Sequence, residues 1–375
     1  MPVRSYFDHN ATTPASPEVI QAMAPLWAEV FGNASSIHQF GQDARRVLDN
    51  ARRTVAAMLG ASPKEIVFTS GGTEADNTAI FGVTGHVVTT TAEHPAILQA
   101  CAQLPSVTFV PVDHGGLVDP QAVHDAIRPD TALISVMHVN NELGVIQPIE
   151  EIAAIAHVAG VPMHSDGVQA AGKIPVDVRA LGVDLYSVSA HKIYGPKGVG
   201  ALYVRKGLDL RPLHYGGPHE RKLRAGTENV PAAAGFGRAA AWVTAEAAAE
   251  MARETELRDT LEQGIVARVP GTHVNGQGAP RVGNTSNIRF DGIDSEPLLI
   301  ALDLQGFAVS SGSACSSGAT EPSHVLAAIG LTREQARSSV RFSLGRSNTR
   351  EQVDALIEAV VRAVARLRKL APAYA

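Results

Sequence analysis

Between residues 65 and 205, short apolar runs alternate with longer stretches of helical spacing. The runs fall at 66–69, 86–90, 107–112, 132–139, 161–164, 185–189 and 201–204. Most are bounded by Gly, Pro or Asp, which punctuate strands. Several are apolar throughout instead of alternating, the pattern of strands covered on both faces. This rhythm predicts an α/β domain with a mostly parallel seven-stranded sheet. Upstream, residues 16–60 read as mostly helical. Within 42–60, Ala44, Val47, Leu48, Ala51, Val55, Met58 and Leu59 recur at steps of three and four, and Gly60 supplies a stop. Downstream, 230–268 reads as a long Ala-rich helix. Shorter units follow: strands at 286–290, 309–310 and 339–344, helices at 297–304 and 324–329, and a last helix from Arg350. That helix carries Val353, Leu356, Ile357, Val360, Val361, Val364 and Leu367 on one face. These units predict a second, smaller α+β domain. The expected division is 12–250 for the large domain, with 1–11 and 251–375 forming the small one.

The chain has 375 residues, enough for two or three folding units at roughly 150 each. Its 45% hydrophobic and 18% charged content suits a protein with a large core. A net charge of -5 points to neither a nucleic-acid nor a membrane partner. No apolar run approaches the roughly 18 residues of a spanning helix. MPVRSYFDHNATTP lacks the layout of a signal peptide, so a cytoplasmic location is expected. Of the two cysteines, Cys101 sits in AILQACAQL at helical spacing, as a packing residue would. Cys315 sits in SSGSACSSGA, among small residues that offer no packing. It is a candidate reactive thiol or an incidental loop cysteine. Neither belongs to a C-x-x-C pair, so no zinc site is suggested.

In a parallel sheet, ligands bind beyond the carboxyl ends of the strands. Polar residues follow most of the runs. After 66–69 comes SGGTEADN, where two glycines permit a tight turn and Thr73 is placed to cap the next helix. Such a turn is either an ordinary connection or a cradle for an anion at a helix N-terminus. It is not a P-loop, since no Gly-Lys-Ser/Thr follows. His94 follows 86–90 and suits a helix cap, a stacking partner for a flat ligand, or a proton carrier. MHVNNELG follows 132–139, and its amides suit a carboxylate or ring oxygen. HSDGVQ closes the next run, with Asp166 either capping a helix or holding a cationic ring nitrogen. In SVSAHKIYGPKGVG, His191-Lys192 lies where a strand must stop. A lysine there is a solvated loop residue or an amine kept for Schiff-base chemistry. Anion cradle, flat stacker, aspartate and lysine on one sheet edge are what a pyridoxal phosphate enzyme requires. In 339–344, Val340, Phe342 and Leu344 alternate with Arg341 and Ser343. Arg341 should leave the core, to a surface salt bridge or a substrate carboxylate.

The strings FDHNATTP, SGGTEADN, AEHPAI, MHVNNELG, HSDGVQ, SAHKIYGPKG, RAGTEN, SSGSACSSG and VRFSLGR resemble the pyridoxal phosphate-dependent cysteine desulfurases of the class V aminotransferase superfamily. The match runs in order over nearly the whole chain. It implies the fold type I architecture and a homodimer with active sites at the subunit interface. It implies that Lys192 is the Schiff-base lysine, that His94 stacks on the ring, that Asp166 pairs with the ring nitrogen and that Gln169 contacts the ring hydroxyl. Gly72, Thr73, Ser189 and His191 would bind phosphate, with Thr227 arriving from the other subunit. Asn141 and Arg341 would hold the substrate L-cysteine, and Cys315 would accept its sulfur as a persulfide. SSGSAC resembles the subgroup whose cysteine rides a long mobile loop. Delivery to a sulfur acceptor, such as an iron–sulfur scaffold protein, would follow. His9 departs from the Asn or Tyr more common in the family. The chain ends soon after its last helix, without the longer tail some relatives use to dock a scaffold. A selenocysteine lyase would share the scaffold. A non-catalytic binding subunit would be expected to have lost Lys192, Asp166 or Cys315, and all three are present.

Overall fold

The computed structural model describes residues 4–311 and 322–370. The chain begins with β1 (Ser5–Tyr6), α1 (Pro17–Met23) and α2 (Gln39–Met58). Then β2 (Ile66–Thr69), α3 (Gly72–Phe81), β3 (His86–Thr90), α4 (Pro95–Cys101), β4 (Val107–Val110), α5 (Pro120–Asp125), β5 (Thr131–Ser135), α6 (Ile149–Val158), β6 (Met163–Asp166), β7 (Leu185–Ser189) and β8 (Gly200–Val204) follow. The long α7 (Val230–Arg268) leads to β9 (Thr272–Val274), β10 (Thr285–Phe290), α8 (Ser295–Asp303), β11 (Phe307–Ala308), α9 (His324–Ala328), α10 (Arg333–Arg337), β12 (Ser339–Ser343) and α11 (Arg350–Leu370).

Seven strands form one sheet in the order β2-β8-β7-β6-β5-β3-β4. All run parallel except β8, which is antiparallel to both neighbours. The reversal has a simple cause. Residues 190–199 join β7 to β8, and a parallel crossover needs about a dozen residues or more, usually with a helix. The chain must therefore turn back at the carboxyl end of β7, and Lys192 lies in that turn. Two predicted strands shift. The fourth ends at Ser135, and the fifth runs from Met163 to Asp166 despite its polar sequence MHSD. Polar strand residues are tolerated there because they pair across strands. The buried His164 ring contacts Ser135 Oγ on β5 at 2.8 Å and Ser187 Oγ on β7 at 3.0 Å.

Residues 16–60 are mostly helical, as expected, though not continuously so. A 3-10 turn over 24–27 and an irregular stretch to His38 separate α1 from α2. Gly60 closes α2 as predicted, at φ 66, a left-handed position that suits glycine. The helix α7 serves two cores. Val230, Ala233, Phe236 and Ala240 pack with the large sheet's core. Leu257, Leu261 and Ile265 pack with Ile288, Phe290, Val340 and Phe342 of the antiparallel β12-β10-β9 sheet and with α11. Phe7 joins that second core, so the N-terminal segment crosses from one to the other. Cys101 is buried in α4, as its spacing predicted, and burial pushes its thiol up to about 12.

Candidate active site

The parallel strands deliver their carboxyl ends to one cavity of about 350 Å3. Gly72, Thr73, His94, Asn141, Asp166, Gln169, Ser189, His191, Lys192 and Arg341 all line it. Of the predicted site residues, Thr227 is exposed and does not line this cavity. Cys315 lies outside the described residues.

Lys192 ends a single 3-10 turn after β7. Its Nζ donates to the main-chain oxygens of Asn10 at 2.5 Å and Ala11 at 2.9 Å. Both acceptors belong to the N-terminal crossing segment. Thr13 ties that segment down, donating its N–H and its Oγ1 to His191 O, each at 2.9 Å. The amine is thus aimed by backbone, which cannot rotate away.

His94 is the N-cap of α4, and its Nδ1 accepts the Ala96 N–H at 3.1 Å. That bond leaves the ring proton on Nε2. Burial, then the charges of Lys192 and His324, lower its pKa to about 4, so at neutral pH the ring is uncharged. His191 is lowered to about 4 in the same way, by burial first and then Lys192. Both rings are suited to stacking or hydrogen bonding without adding positive charge.

Asp166 closes β6, and one carboxylate oxygen accepts the Val168 N–H at 2.9 Å. Burial raises its pKa to about 6, against the pull of Val168 N–H and Lys192. Asp76 on α3, which also lines the cavity, is held well above the carboxylate range by burial and by the Asp166 charge. Two buried carboxyls side by side make a site for a cation or a proton.

At the opposite end, α3 begins at Gly72. Its N-cap is Gly71, with no side-chain cap. Thr73 lies inside the helix and does not cap it, contrary to expectation. The side chain that does reach back is Glu74, which accepts the Ser70 N–H at 2.8 Å. The first intrahelical bond runs from Ala75 N–H to Gly71 O. The amides of Gly72 and Thr73 precede it and are available to an anion. A Cβ at Gly72 would meet Val168 Cγ2 at 2.7 Å, so only glycine fits under that side chain. Beside it, the buried Ser189 Oγ has no hydrogen-bond partner.

Arg341 turns away from the core that holds Val340 and Phe342, as the alternation predicted, but it does not reach the surface. It is 2% exposed and pairs with Asp8 at 2.7 Å. It also donates to Asn141 O at 2.9 Å, which places the two residues together at the cavity. The Asn141 Oδ1 is buried without a partner.

Asn10 was not singled out in the sequence. Its carbonyl holds Lys192 and Gln169, its amide reaches Asn141 O and Thr285, and its N–H reaches Ser343. No spacing rule marks it, because its partners lie in distant parts of the chain.

The donor set fits pyridoxal phosphate. The orphaned Ser189 hydroxyl and the first amides of α3 suit a phosphate, the Asp166 carboxyl beside Asp76 suits a cationic ring nitrogen, and the uncharged His94 ring and the Lys192 amine line the same cavity. The chain matches the aminotransferase class-V family over residues 5–356. It is 47% identical to "Cysteine desulfurase IscS" of Methanosarcina thermophila over 378 residues, covering 98% of this chain and 93% of that protein. Among solved structures it resembles a NifS-like protein with a TM-score of 0.91 and 36% identity, covering 97% of this chain and 100% of that one. It also resembles SspA in complex with cysteine, with a TM-score of 0.80 and 36% identity, covering 90% of this chain and 98% of that one.

Proposed function

The chain belongs to the aminotransferase class-V family, and from that premise we propose how its cavity carries out cysteine desulfuration. The protein is a cysteine desulfurase, converting L-cysteine to L-alanine with transfer of the sulfur. The observation that carries the site reading is the meeting of Lys192, His94, Asp166 and the anion cradle at Gly72, Thr73 and Ser189 in one cavity.

Lys192 would hold pyridoxal phosphate covalently, with Gly72, Thr73, Ser189 and His191 on its phosphate, His94 against its ring, Asp166 on the ring nitrogen and Gln169 on the ring oxygen. When bound, the cofactor supplies an aldehyde carbon for the substrate amine and a protonated ring that withdraws electrons. Arg341 and Asn141 bind the substrate carboxylate, and the guanidinium offers a planar fork for it. Lys192 would take the proton from the substrate Cα and return it there before alanine leaves. Asn10 O and Ala11 O keep that amine on the cavity side throughout. His94, uncharged and with its proton on Nε2, offers a hydrogen-bond donor to the substrate thiol. The Cys315 thiolate attacks the substrate sulfur. A sulfur–sulfur bond forms as the carbon–sulfur bond breaks, its electron pair staying with carbon, which then takes a proton. Alanine leaves, and Cys315 carries the persulfide to an acceptor, for which iron–sulfur assembly is the proposed use.

A homodimer is part of the proposal, with Thr227 closing the phosphate end of the neighbouring subunit's cavity. Its support is a set of exposed apolar side chains, Trp27, Phe31, Ile37 and Phe40, of which Ile37 is 92% exposed. No helix among the described residues is long and apolar enough to cross a membrane. A cytoplasmic place of work belongs to the proposal. The deciding experiment is to supply the purified, cofactor-loaded protein with L-cysteine. Equal alanine and sulfide, the latter with a thiol reductant present, are expected. Alanine without sulfide, or neither product, overturns the reading.

A further inference from the structure

Behind the cavity lies a buried polar cluster centred on Lys173, which the proposed chemistry leaves unused. Lys173 is 9% exposed and follows Gln169 by one turn. Its Nζ donates to Asn10 Oδ1 at 2.8 Å and to Gln169 Oε1. Protonated or neutral, that nitrogen faces two oxygens and donates to both.

The remaining contacts show which way each amide faces. Asn10 Nδ2 donates to Asn141 O at 3.1 Å, a main-chain oxygen that can only accept. Asn10 Oδ1 must therefore face Lys173 and the Asn284 amide, 3.2 Å away. Asn284 is oriented in turn by Leu344 O at 3.2 Å. Gln169 Nε2 donates one hydrogen to Asn10 O at 2.9 Å, and its second hydrogen remains for the cavity that Gln169 lines. An amide held at one end only can swing about that single hydrogen bond, so its free N–H is not aimed. Lys173 pins the other end. The charged groups around it are Lys192 and Arg341, which disfavour its positive charge, and Glu254 on α7, which favours it. His9 lies close by, its own protonation opposed first by burial and then by Lys173.

We propose that Lys173 is a positioning residue: by holding Gln169 Oε1 and Asn10 Oδ1 it turns the Gln169 N–H toward the ring oxygen of the bound cofactor. The proposal rests on the site reading given above. An N–H donor there stabilises the ring oxygen in its anionic form. Removing Lys173 leaves Gln169 held only through Asn10 O, so the amide can swing about that one bond and its second N–H no longer stays on that anion.

The test is the pH titration of the bound cofactor's absorbance in the holoenzyme. Losing a hydrogen bond to a charged oxygen favours protonation, so Lys173→Met should raise the titration midpoint by about one pH unit. Gln169→Leu should raise it by a similar amount. In the Gln169→Leu background, Lys173→Met should add nothing, because Lys173 acts through that amide. A merely structural lysine would instead lower thermal stability and leave the midpoint unmoved. Should Lys173→Met not fold, Lys173→Met/Glu254→Gln removes both buried charges and carries the same expectation. A wild-type midpoint in the folded variant, or additive shifts in the double variant, overturns the positioning role. Absence of any cofactor band in the wild-type protein overturns the site reading and this proposal with it.

Discussion

The main-chain oxygen of Asn10 lies 2.5 Å from the amine of Lys192, across 182 positions of sequence. The same residue hydrogen-bonds Thr285 on β10 and Ser343 on β12, neighbouring strands of the small sheet. The amine is therefore aimed by a segment anchored in both cores, so motion of one sheet against the other would be felt at the reactive nitrogen.

Replacing that amine should separate cofactor binding from sulfur transfer. Lys192→Ala should abolish the absorbance of the covalently held cofactor and lower turnover by at least about 100-fold, the contribution of a positioned base. Cys315→Ser should keep that absorbance but release no sulfide from L-cysteine. Absorption spectra and sulfide assays on the two purified variants check this. An unchanged band in Lys192→Ala removes the lysine from the centre of the mechanism.

Retention of the cofactor should depend on pH through Asp166. Burial raises this carboxyl to about 6, so it is deprotonated above that pH and protonated below it. Only the deprotonated form pairs with a cationic ring nitrogen. Cofactor affinity should thus fall as pH drops through about 6. Asp166→Asn should weaken it by about 10- to 100-fold at neutral pH, the worth of a charged hydrogen bond, and should flatten the pH dependence. Equilibrium dialysis across pH measures both.

Arg341 offers a planar fork that lysine cannot copy. Arg341→Lys should raise KM for L-cysteine by about tenfold with a smaller change in kcat, the sign of lost ground-state binding. The variant would also loosen the contacts to Asp8 and Asn141 O. Steady-state kinetics over a range of L-cysteine give the split, and an unchanged KM would move the substrate carboxylate elsewhere.

Stability should depend on a pair remote from the chemistry. Arg52 and Glu220 form a bidentate buried bridge at 2.6 Å on both arms. Glu220 also accepts the Phe68 N–H at 2.9 Å, and Arg52 donates to Ile66 O at 2.8 Å, so the pair covers the exposed edge of β2. Arg52→Met or Glu220→Gln leaves one charge or polar group buried without its partner and should cost about 3–5 kcal/mol. Arg52→Met/Glu220→Leu should cost less than either single change. Urea unfolding of the three variants decides it.

Much of this protein could be read from its residues in order. Apolar runs with polar ends announce a covered sheet, and in such a sheet the ends converge whatever the loops do. That is why His94, Asp166, Ser189, His191 and Lys192, each ordinary alone, could be assigned to one edge. Alternation alone also turned Arg341 away from Val340 and Phe342. Other features depended on contacts that no local pattern encodes. The direction of β8 follows from the length of one connection. The polar strand β6 exists because Ser135 and Ser187 on its neighbours satisfy His164. Thr73 lost its capping role to a backbone turn and to Glu74. Asn10, Asp76 and Lys173 acquire their meaning from partners brought near only by folding. Sequence by itself determined which groups stand at the sheet edge, because side-chain period and strand ends are local properties. Tertiary structure alone decided how those groups are aimed, because a hydrogen-bond network closes only when distant segments pack together.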